Sequence, residues 1–384
     1  MKIVNTHIHS PYSFSCFSSV KQATSLAQQQ QVKVLGLSDF NTTDGFAEFG
    51  DCCKQDGIYP LYNIEYIALS TDDKERNLRW NDPKNPGIIY FCGKALAASP
   101  QYTEDSRNQL SSLWKSSQDH MWKMIDKVNS VIQELGLPLE LSYSDILTQY
   151  ARKNVRERHV AQAVFHAFEA QWSTEGERLE SYKKLFGDSK FSGNIADSPF
   201  MQNEIRNRLL KAGKPAFVAE KVDAFLPLNR IKSLIVEAGG IPCYPVLADD
   251  SAPLNEYESD PVKLADTLER MNIYAVEFIP LRNSFDHLTR YVRTFVERGF
   301  CVTFGTEHNT PECISLVPAA RGGQAFDDEL NQVSYNGACI LAAHQAYPEK
   351  CLWLGGKEKR VGDGKDVLKE MVRIGDELIR KTLS

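Results

Sequence analysis

Two histidines at the end of the first apolar segment have a spacing that suits metal chemistry. Side chains two residues apart on a strand point the same way, so the imidazoles of His7 and His9 can face one ion. Glu65 lies between apolar residues of another predicted strand, where an unpaired carboxylate is unfavourable and a ligand role is favoured. Imidazole and carboxylate ligands together suit Zn, Mn or Fe. Such an ion would polarise a phosphoryl or carbonyl oxygen and lower the pKa of a bound water.

Several other polar residues lie at the ends of predicted strands, where α/β folds build their sites. They are Asp39, Tyr90, Tyr244, Glu277, Glu307, His308 and Asn309. Each also has an ordinary structural interpretation. Asp39 could begin a loop and cap a helix, and Glu277 could pair with Arg282 or with another residue of the sheet. His159 begins a predicted helix, where a histidine is typically a capping or surface residue.

The elements that must position these residues alternate between strands and helices. Apolar runs predict strands at 3–4, 32–37, 62–67, 88–92, 241–244, 275–279 and 301–304. Apolar periodicity predicts helices at 18–30, 231–238, 261–270, 286–298 and 365–381, and a block of helices between about 100 and 215. Residues 70–87 are polar and contain two prolines, which indicates a surface excursion. The repeated alternation predicts a barrel of parallel strands, whereas 337–344 could be a core helix or a strand.

Composition narrows the class of protein. The chain has 384 residues, of which 42% are hydrophobic and 24% charged, so it can bury a full core. The net charge of -6 is spread along the chain and gives no basic footprint for nucleic acid. No apolar run is long enough to cross a membrane and no signal peptide is recognisable, so we expect a cytoplasmic protein. The nine cysteines include no C-x-x-C pair, which predicts mostly reduced, buried thiols rather than a disulfide framework.

An ordered set of short segments carries a resemblance to a known family. The segments are 6–10, 35–45, 63–66, 142–147 with 156–161, 214–218, 238–245, 275–277 and 304–309. In this order they resemble the motifs of the PHP (polymerase and histidinol phosphatase) family, and the helical block resembles that of its trinuclear phosphoesterase branch. The resemblance extends to about residue 310.

This resemblance implies a fold and a domain organisation. The expected fold is a distorted (β/α)7 TIM-like barrel of the PHP type with an inserted helical subdomain. The barrel would comprise residues 1–98 and 216–320, and the insertion residues 99–215. Residues 321–384 would form a C-terminal extension that packs on the barrel.

The matches and departures imply how many metals the site holds. The residues that match the family's first metal shell can all act as ligands: His7, His9, Glu65 and Glu307. Those that match the second shell include two that cannot coordinate a metal: Phe14, Phe40, Tyr244 and Asn309. The third shell keeps Glu65 and His159, which makes His159 a further candidate ligand, but has Tyr90. The resemblance therefore implies one divalent ion, Zn, Mn or Fe, per chain.

Three classes of function remain open on these residues. The resemblance implies a metal-dependent hydrolase, in particular a phosphoesterase acting on a small phosphorylated metabolite. A single ion could instead serve an isomerase or lyase, or the chain could be a catalytically silent binding protein. In an enzyme, we expect Tyr244 or Tyr90 to donate a hydrogen bond or a proton, and Asp39 or His308 to act as base. The residues leave the oligomeric state open.

Overall fold

Seven strands form one sheet in which each strand pairs with the next along the chain. The computed structural model describes residues 2–221, 224–250 and 255–384. The strands are β1 (Ile3–Ile8), β2 (Val32–Phe40), β3 (Tyr59–Leu69), β4 (Ile88–Lys94), β5 (Ile241–Val246), β6 (Ala275–Phe278) and β7 (Cys301–Phe304). A parallel bridge between Ile8 and Glu307 joins β1 to the segment after β7. The sheet is therefore a nearly closed barrel, as the strand and helix alternation predicts.

One strand departs from the predicted parallel arrangement. β4 runs antiparallel to both β3 and β5, whereas the other neighbouring pairs are parallel. Residues 70–87 between β3 and β4 contain only a five-residue helix, Thr71–Glu75. A parallel return needs a crossover that covers one face of the sheet, usually with a helix. This segment instead lets the chain fold directly back, so the prediction of parallel strands is wrong for β4.

Thirteen α-helices occupy the described residues. They are α1 (Val20–Gln29), α2 (Phe46–Asp56), α3 (Thr71–Glu75), α4 (Glu104–Glu134), α5 (Tyr143–Gln149), α6 (Glu157–Gln171), α7 (Glu175–Phe186), α8 (Ser198–Ile205), α9 (Leu228–Glu237), α10 (Pro261–Arg270), α11 (Phe285–Glu297), α12 (Asp328–Ala346) and α13 (Lys365–Leu383). Side-chain caps fix several starts: Ser19 accepts a hydrogen bond from the Gln22 amide, and Asp260 accepts from two amides of α10. No helix among the described residues is long and apolar enough to cross a bilayer.

Buried apolar side chains form two separate clusters. The larger one surrounds the sheet and takes its buried members from residues 4–96 and 228–379. The smaller one lies among helices α4 to α8 and takes its buried members from residues 121–216. The helical block therefore has a core of its own.

Most of the cysteines are free thiols, and one pair is disulfide-bonded. Cys16, in the loop after β1, is disulfide-bonded to Cys313, in the loop after β7. The seven other cysteines are free and buried, so the prediction of mostly reduced thiols is confirmed.

Two helices at the C-terminus pack closely against the barrel and each other. The segment 337–344, which the sequence left open between helix and strand, belongs to α12. A Cβ atom at Gly337 would overlap the carbonyl oxygen of Val302 on β7, and one at Gly375 of α13 would overlap that of Cys339 on α12. Glycine at these two positions therefore allows the backbones to approach this closely.

We expect the substitution Gly375→Ala to destabilise the protein, because the added methyl group has no space between α13 and α12. Overpacking of this kind costs about 1–3 kcal/mol of unfolding free energy. Chemical denaturation measures the change.

Gly176→Ala in α7 is the matched control, because nothing lies within 4 Å of the added Cβ. This variant should be unchanged or up to about 1 kcal/mol more stable. Equal stability of the two variants would contradict the close packing of α13 on α12.

Candidate metal centre

Three ligand atoms from β1 and β3 converge at one rim of the barrel. His7 Nε2 lies 3.1 Å from His9 Nε2, and His9 Nε2 lies 3.0 Å from an oxygen of Glu65. The remaining pair, His7 Nε2 and the same Glu65 oxygen, is 3.7 Å apart. These separations suit three ligands bound to one ion at about 2.0–2.2 Å each. All three side chains are buried.

The hydrogen bonds of the two imidazoles fix which nitrogen carries the proton. His7 Nδ1 donates to Glu277 Oε2 at 2.6 Å, which leaves the Nε2 lone pair directed at the cluster. Ser13 Oγ donates to Asp39 Oδ1 at 2.6 Å, so it must accept from His9 Nδ1 at 3.1 Å. The Nε2 lone pair of His9 is therefore also free to bind an ion.

Three potential ligand atoms consequently face one another with no donor group of another described residue between them. The converging Glu65 oxygen is buried and has no hydrogen-bond partner among the described residues. Burial raises the pKa of Glu65 to about 8 and, together with the neighbouring His7, lowers that of His9. A cation bound between the three atoms would offset the unfavourable burial of these groups, because it would interact with the lone pairs of all three.

An ion pair inside the barrel holds His7 in place. Glu277 of β6 accepts from His7 and from Lys94 Nζ of β4, at 2.6 Å in each case, and from the Thr6 hydroxyl at 3.1 Å. Burial opposes ionisation of Glu277, but Lys94 and His7 outweigh it and hold its pKa at about 2. Glu277 thus takes the position of the carboxylate that commonly orients a metal-binding histidine. The expected alternative partner Arg282 is instead paired with Glu307.

Asp39 orients His9 through a serine. Its carboxylate accepts from the Ser10 amide and hydroxyl and from the Ser13 hydroxyl, at 2.6–2.8 Å. Burial raises the pKa of Asp39 to about 6, against the lowering effect of these hydrogen bonds. Because the side chain is buried and fully occupied, its contacts support a positioning role rather than that of a base acting on substrate.

The loop after β7 borders the cluster through its backbone. Glu307 and His308 both have positive φ values, 64° and 58°, and the Glu307 carbonyl accepts from the His9 amide. One oxygen of the Glu307 carboxylate is paired with Arg282, and Glu307 is not part of the converging group among the described residues. His308 shares a hydrogen bond with Thr306 and another with the carbonyl of Ile314. Both ring nitrogens of His308 are thus committed to the loop.

Two further candidates have contacts of a different kind. His159 Nδ1 accepts from the Arg156 amide at the start of α6, so the ring caps this helix as its ordinary interpretation has it. The Tyr244 hydroxyl donates to Glu258 at 2.7 Å, and Glu258 also accepts from two backbone amides. The expected catalytic roles of Tyr244 and His308 find no support in these contacts, because their polar atoms are occupied by the scaffold.

Phenylalanines line the side of the cluster where the resemblance places further metal ligands. The ring of Phe40 stacks on that of His9, with centroids 5.0 Å apart, and Phe14 meets His159 edge to face at 5.0 Å. These rings shield the imidazoles and offer no ligand atoms. A cleft of about 110 Å³ opens nearby, between α4 and the segment before α9, and Arg156 and Asn41 contribute to its wall.

Sequence reasoning missed three residues that organise the site. Lys94 looks like the end of a strand, and nothing in the sequence marks it as buried against Glu277. Ser10 and Ser13 lie just beyond the His-x-His pair, and only the loop that returns them to Asp39 reveals their role. Their nearness in sequence to His9 is the one signal that could have found them.

Comparisons with known proteins bear on the fold. No protein-family model and no curated protein matches the sequence. A solved structure of a proposed metal-dependent phosphoesterase from Bifidobacterium adolescentis is similar, with a TM-score of 0.52 and 14% identity, over 86% of this chain and 94% of that chain. An amidohydrolase from Chromobacterium violaceum, solved with bound sulfate and no metal, has a TM-score of 0.51 and 13% identity, over 83% and 93% of the two chains. This chain therefore shares the fold of these two proteins.

We expect Glu277→Gln to destabilise the protein strongly, because it leaves the ammonium group of Lys94 buried without a counter-charge. Removing one partner of a buried ion pair typically lowers the free energy of unfolding by about 3–5 kcal/mol. Denaturation in the presence of a chelator measures this effect without any contribution from metal binding.

Glu329→Gln is the matched control, because its pair with Arg293 is exposed and should contribute no more than about 1 kcal/mol. The double substitution Lys94→Met with Glu277→Met should recover part of the loss, since it removes both charges. A loss for Glu277→Gln no larger than that of the control would contradict the structural importance of the buried pair.

Proposed function

We propose that His7, His9 and Glu65 bind one divalent metal ion and that the protein is a metal-dependent hydrolase of the PHP family. The observation that carries this proposal is the convergence of two imidazole lone pairs and an unpartnered, buried carboxylate oxygen within 3.7 Å of one another. Two nitrogens and one oxygen suit Zn, Mn or Fe. Three protein ligands leave a coordination position open, which is typical of catalytic rather than structural sites.

The surrounding residues support a site for one ion. A second group of potential ligands, His7, Cys92 and Glu277, lies deeper in the barrel. There Lys94 already neutralises Glu277, so this group serves to orient His7. Glu307 and His159 stay in the proposal only as neighbours of the centre, because neither belongs to the converging group of ligand atoms among the described residues. One oxygen of Glu307 is paired with Arg282, and His159 Nδ1 accepts from the Arg156 amide.

We further propose a phosphoester of a small metabolite as substrate. When bound, the ion would supply a nucleophilic hydroxide and polarise a phosphoryl oxygen. Glu277 and Ser13 would hold the two imidazoles in the binding tautomer, and Phe14 and Phe40 would limit water at the centre. The name of one structural neighbour, and the sulfate held by the other, support a tetrahedral oxyanion as ligand. The separate core of residues 121–216 supports the division into a barrel and a helical insertion at 99–215.

We expect about one transition-metal ion per chain in the purified protein, and none in the His7→Ala/His9→Ala double variant. Elemental analysis of both proteins measures this. His166→Ala is the matched control, because His166 is partly exposed on α6 and contacts only Glu169 and neighbouring rings. Equal metal content in the double variant and the control would disprove the assigned ligands.

We expect Ser13→Ala to weaken metal binding about 10-fold, because His9 would lose the partner that fixes its tautomer. Competition with a fluorescent chelator measures the affinity. Ser15→Ala is the control, since Ser15 lies two residues further on and donates only to the carbonyl of His308. An unchanged affinity in Ser13→Ala would show that the serine does not orient His9.

The hydrolase assignment itself is tested with a panel of small phosphate esters and the metal-loaded protein. Release of phosphate that is lost in His7→Ala/His9→Ala supports it. Metal-dependent conversion of sugars without phosphate release would replace it by the isomerase or lyase class, and full occupancy without any turnover would leave a binding protein.

A further inference from the structure

Two arginines from the start of α6 stack on the phenylalanines that border the metal centre. The guanidinium carbon of Arg156 lies 4.8 Å from the ring centroid of Phe40, and that of Arg158 lies 5.8 Å from the centroid of Phe14. Phe40 in turn stacks on His9 at 5.0 Å. The guanidinium of Arg156 is therefore no more than about 10 Å from the His9 ring. Contacts of this kind fix the position of a guanidinium without using its N–H donors.

Neither of these guanidinium groups has a carboxylate partner in the part of the chain that the structure describes. Arg158 donates to the side-chain oxygen of Asn203 at 3.1 Å, and Arg156 contacts the face of Phe40. Arg152, four residues before Arg156 and outside α6, differs because it forms an ion pair with Glu48 at 2.8 Å. Arg156 and Arg158 thus keep donors that only water or an anion can satisfy.

The local charge is correspondingly positive. Arg206 lies close enough to Arg158 to act with burial in lowering its pKa to about 10. Arg206 itself is paired with Glu157 at 2.7 Å, which also accepts from Lys211. That carboxylate is therefore shared by two cations, and it acts on Arg158 together with Glu312 and Glu307 without forming an ion pair with it. A bound anion would relieve the repulsion among these groups.

We propose that Arg156 and Arg158 bind the phosphoryl group of the substrate, as a composite site made of two arginines on two phenylalanines. Planar guanidinium donors match the oxygens of a phosphoryl group and bind it more strongly than neutral donors do. The pair would supply, beside a single ion, the additional positive charge that stabilises a phosphoryl transition state. This inference rests on the proposed function and names the residues that select its substrate.

The nearby cleft would give the substrate a route to Arg156. Arg156 forms part of its wall, together with His120, Lys123 and Glu220 from α4 and the segment before α9. With a volume of about 110 Å³, the cleft admits a small group only. The organic part of a small phosphate ester would extend into it while the phosphoryl group lies at Arg156.

Inorganic phosphate is the probe that tests this proposal. Isothermal titration calorimetry at constant ionic strength, on chelator-treated and zinc-loaded protein, measures its affinity for wild type and for the Arg156→Gln/Arg158→Gln variant. We expect the double variant to bind phosphate at least 10-fold more weakly in both preparations, with its zinc content unchanged. The control Arg152→Gln should match the wild type in affinity.

The outcomes separate this proposal from the proposed function. Equal phosphate affinity in wild type and double variant overturns the arginine site, even where zinc still binds. Arginine-dependent phosphate binding in a protein that fails to bind zinc supports the arginine site and contradicts the proposed metal centre. Equal affinity for acetate and phosphate overturns the assignment to a phosphoryl group.

Should the glutamine variant fail to fold, Arg156→Lys/Arg158→Lys provides the second measurement. It keeps the charge and the aliphatic stems but loses the planar donors and the stacking on the phenyl rings. We expect its phosphate affinity to fall at least 3-fold, and an unchanged affinity would overturn the proposal.

Discussion

The buried ion pair between Lys94 and Glu277 is the interaction on which the candidate site depends. It lies in the barrel interior, where neither charge could persist alone, and it joins β4 to β6. Because Lys94 keeps Glu277 ionised, the carboxylate accepts the Nδ1 proton of His7 and turns the other nitrogen of that ring towards His9 and Glu65. The antiparallel course of β4 brings Lys94 to this position. A feature that looks like an irregularity of the sheet is therefore part of what prepares the ligand geometry.

Local patterns in the sequence account for much of the fold. The strands and helices of the second half have apolar periods strong enough to place α10, α11 and β7 within one or two residues of their bounds. The direction of β4 could not be obtained in this way, because an apolar run has the same pattern in a parallel and an antiparallel pair. A second ambiguity concerns residues 337–344, because a short apolar run can belong to a helix or to a strand. Long-range packing of α12 on β7 decides in favour of the helix.

The residues of the candidate site also differ in how far the sequence alone predicts them. The types and strand positions of His7, His9 and Glu65 predict ligands before any contact is known, and the fold brings these three side chains together, as such a site requires. Strand-end position alone indicates Tyr244 and His308, whereas their partners, Glu258 and the loop around Thr306, come from contacts that the sequence does not display. The roles of Lys94 and Ser13 depend entirely on tertiary hydrogen bonds. Sequence thus indicates groups with the right chemistry, and only the fold decides which of them have free atoms.

A balance of charges connects the metal centre with the arginines. Under the proposed function, one carboxylate and two neutral imidazoles around a divalent ion would leave a single net positive charge. Lys94, Arg282 and Arg206 each form an ion pair with a glutamate, whereas Arg156 and Arg158 form none among the described residues. Glu157, Glu312 and Glu307 still act on the charge of Arg158 from beyond ion-pair distance. With one ion bound, the sum over these groups would stay positive after the carboxylates of Asp39 and Glu312 are counted, although the whole chain is acidic, with a net charge of -6. Such a local surplus in a partly buried place favours a multiply charged anion over a neutral substrate, because desolvation strengthens each of these interactions.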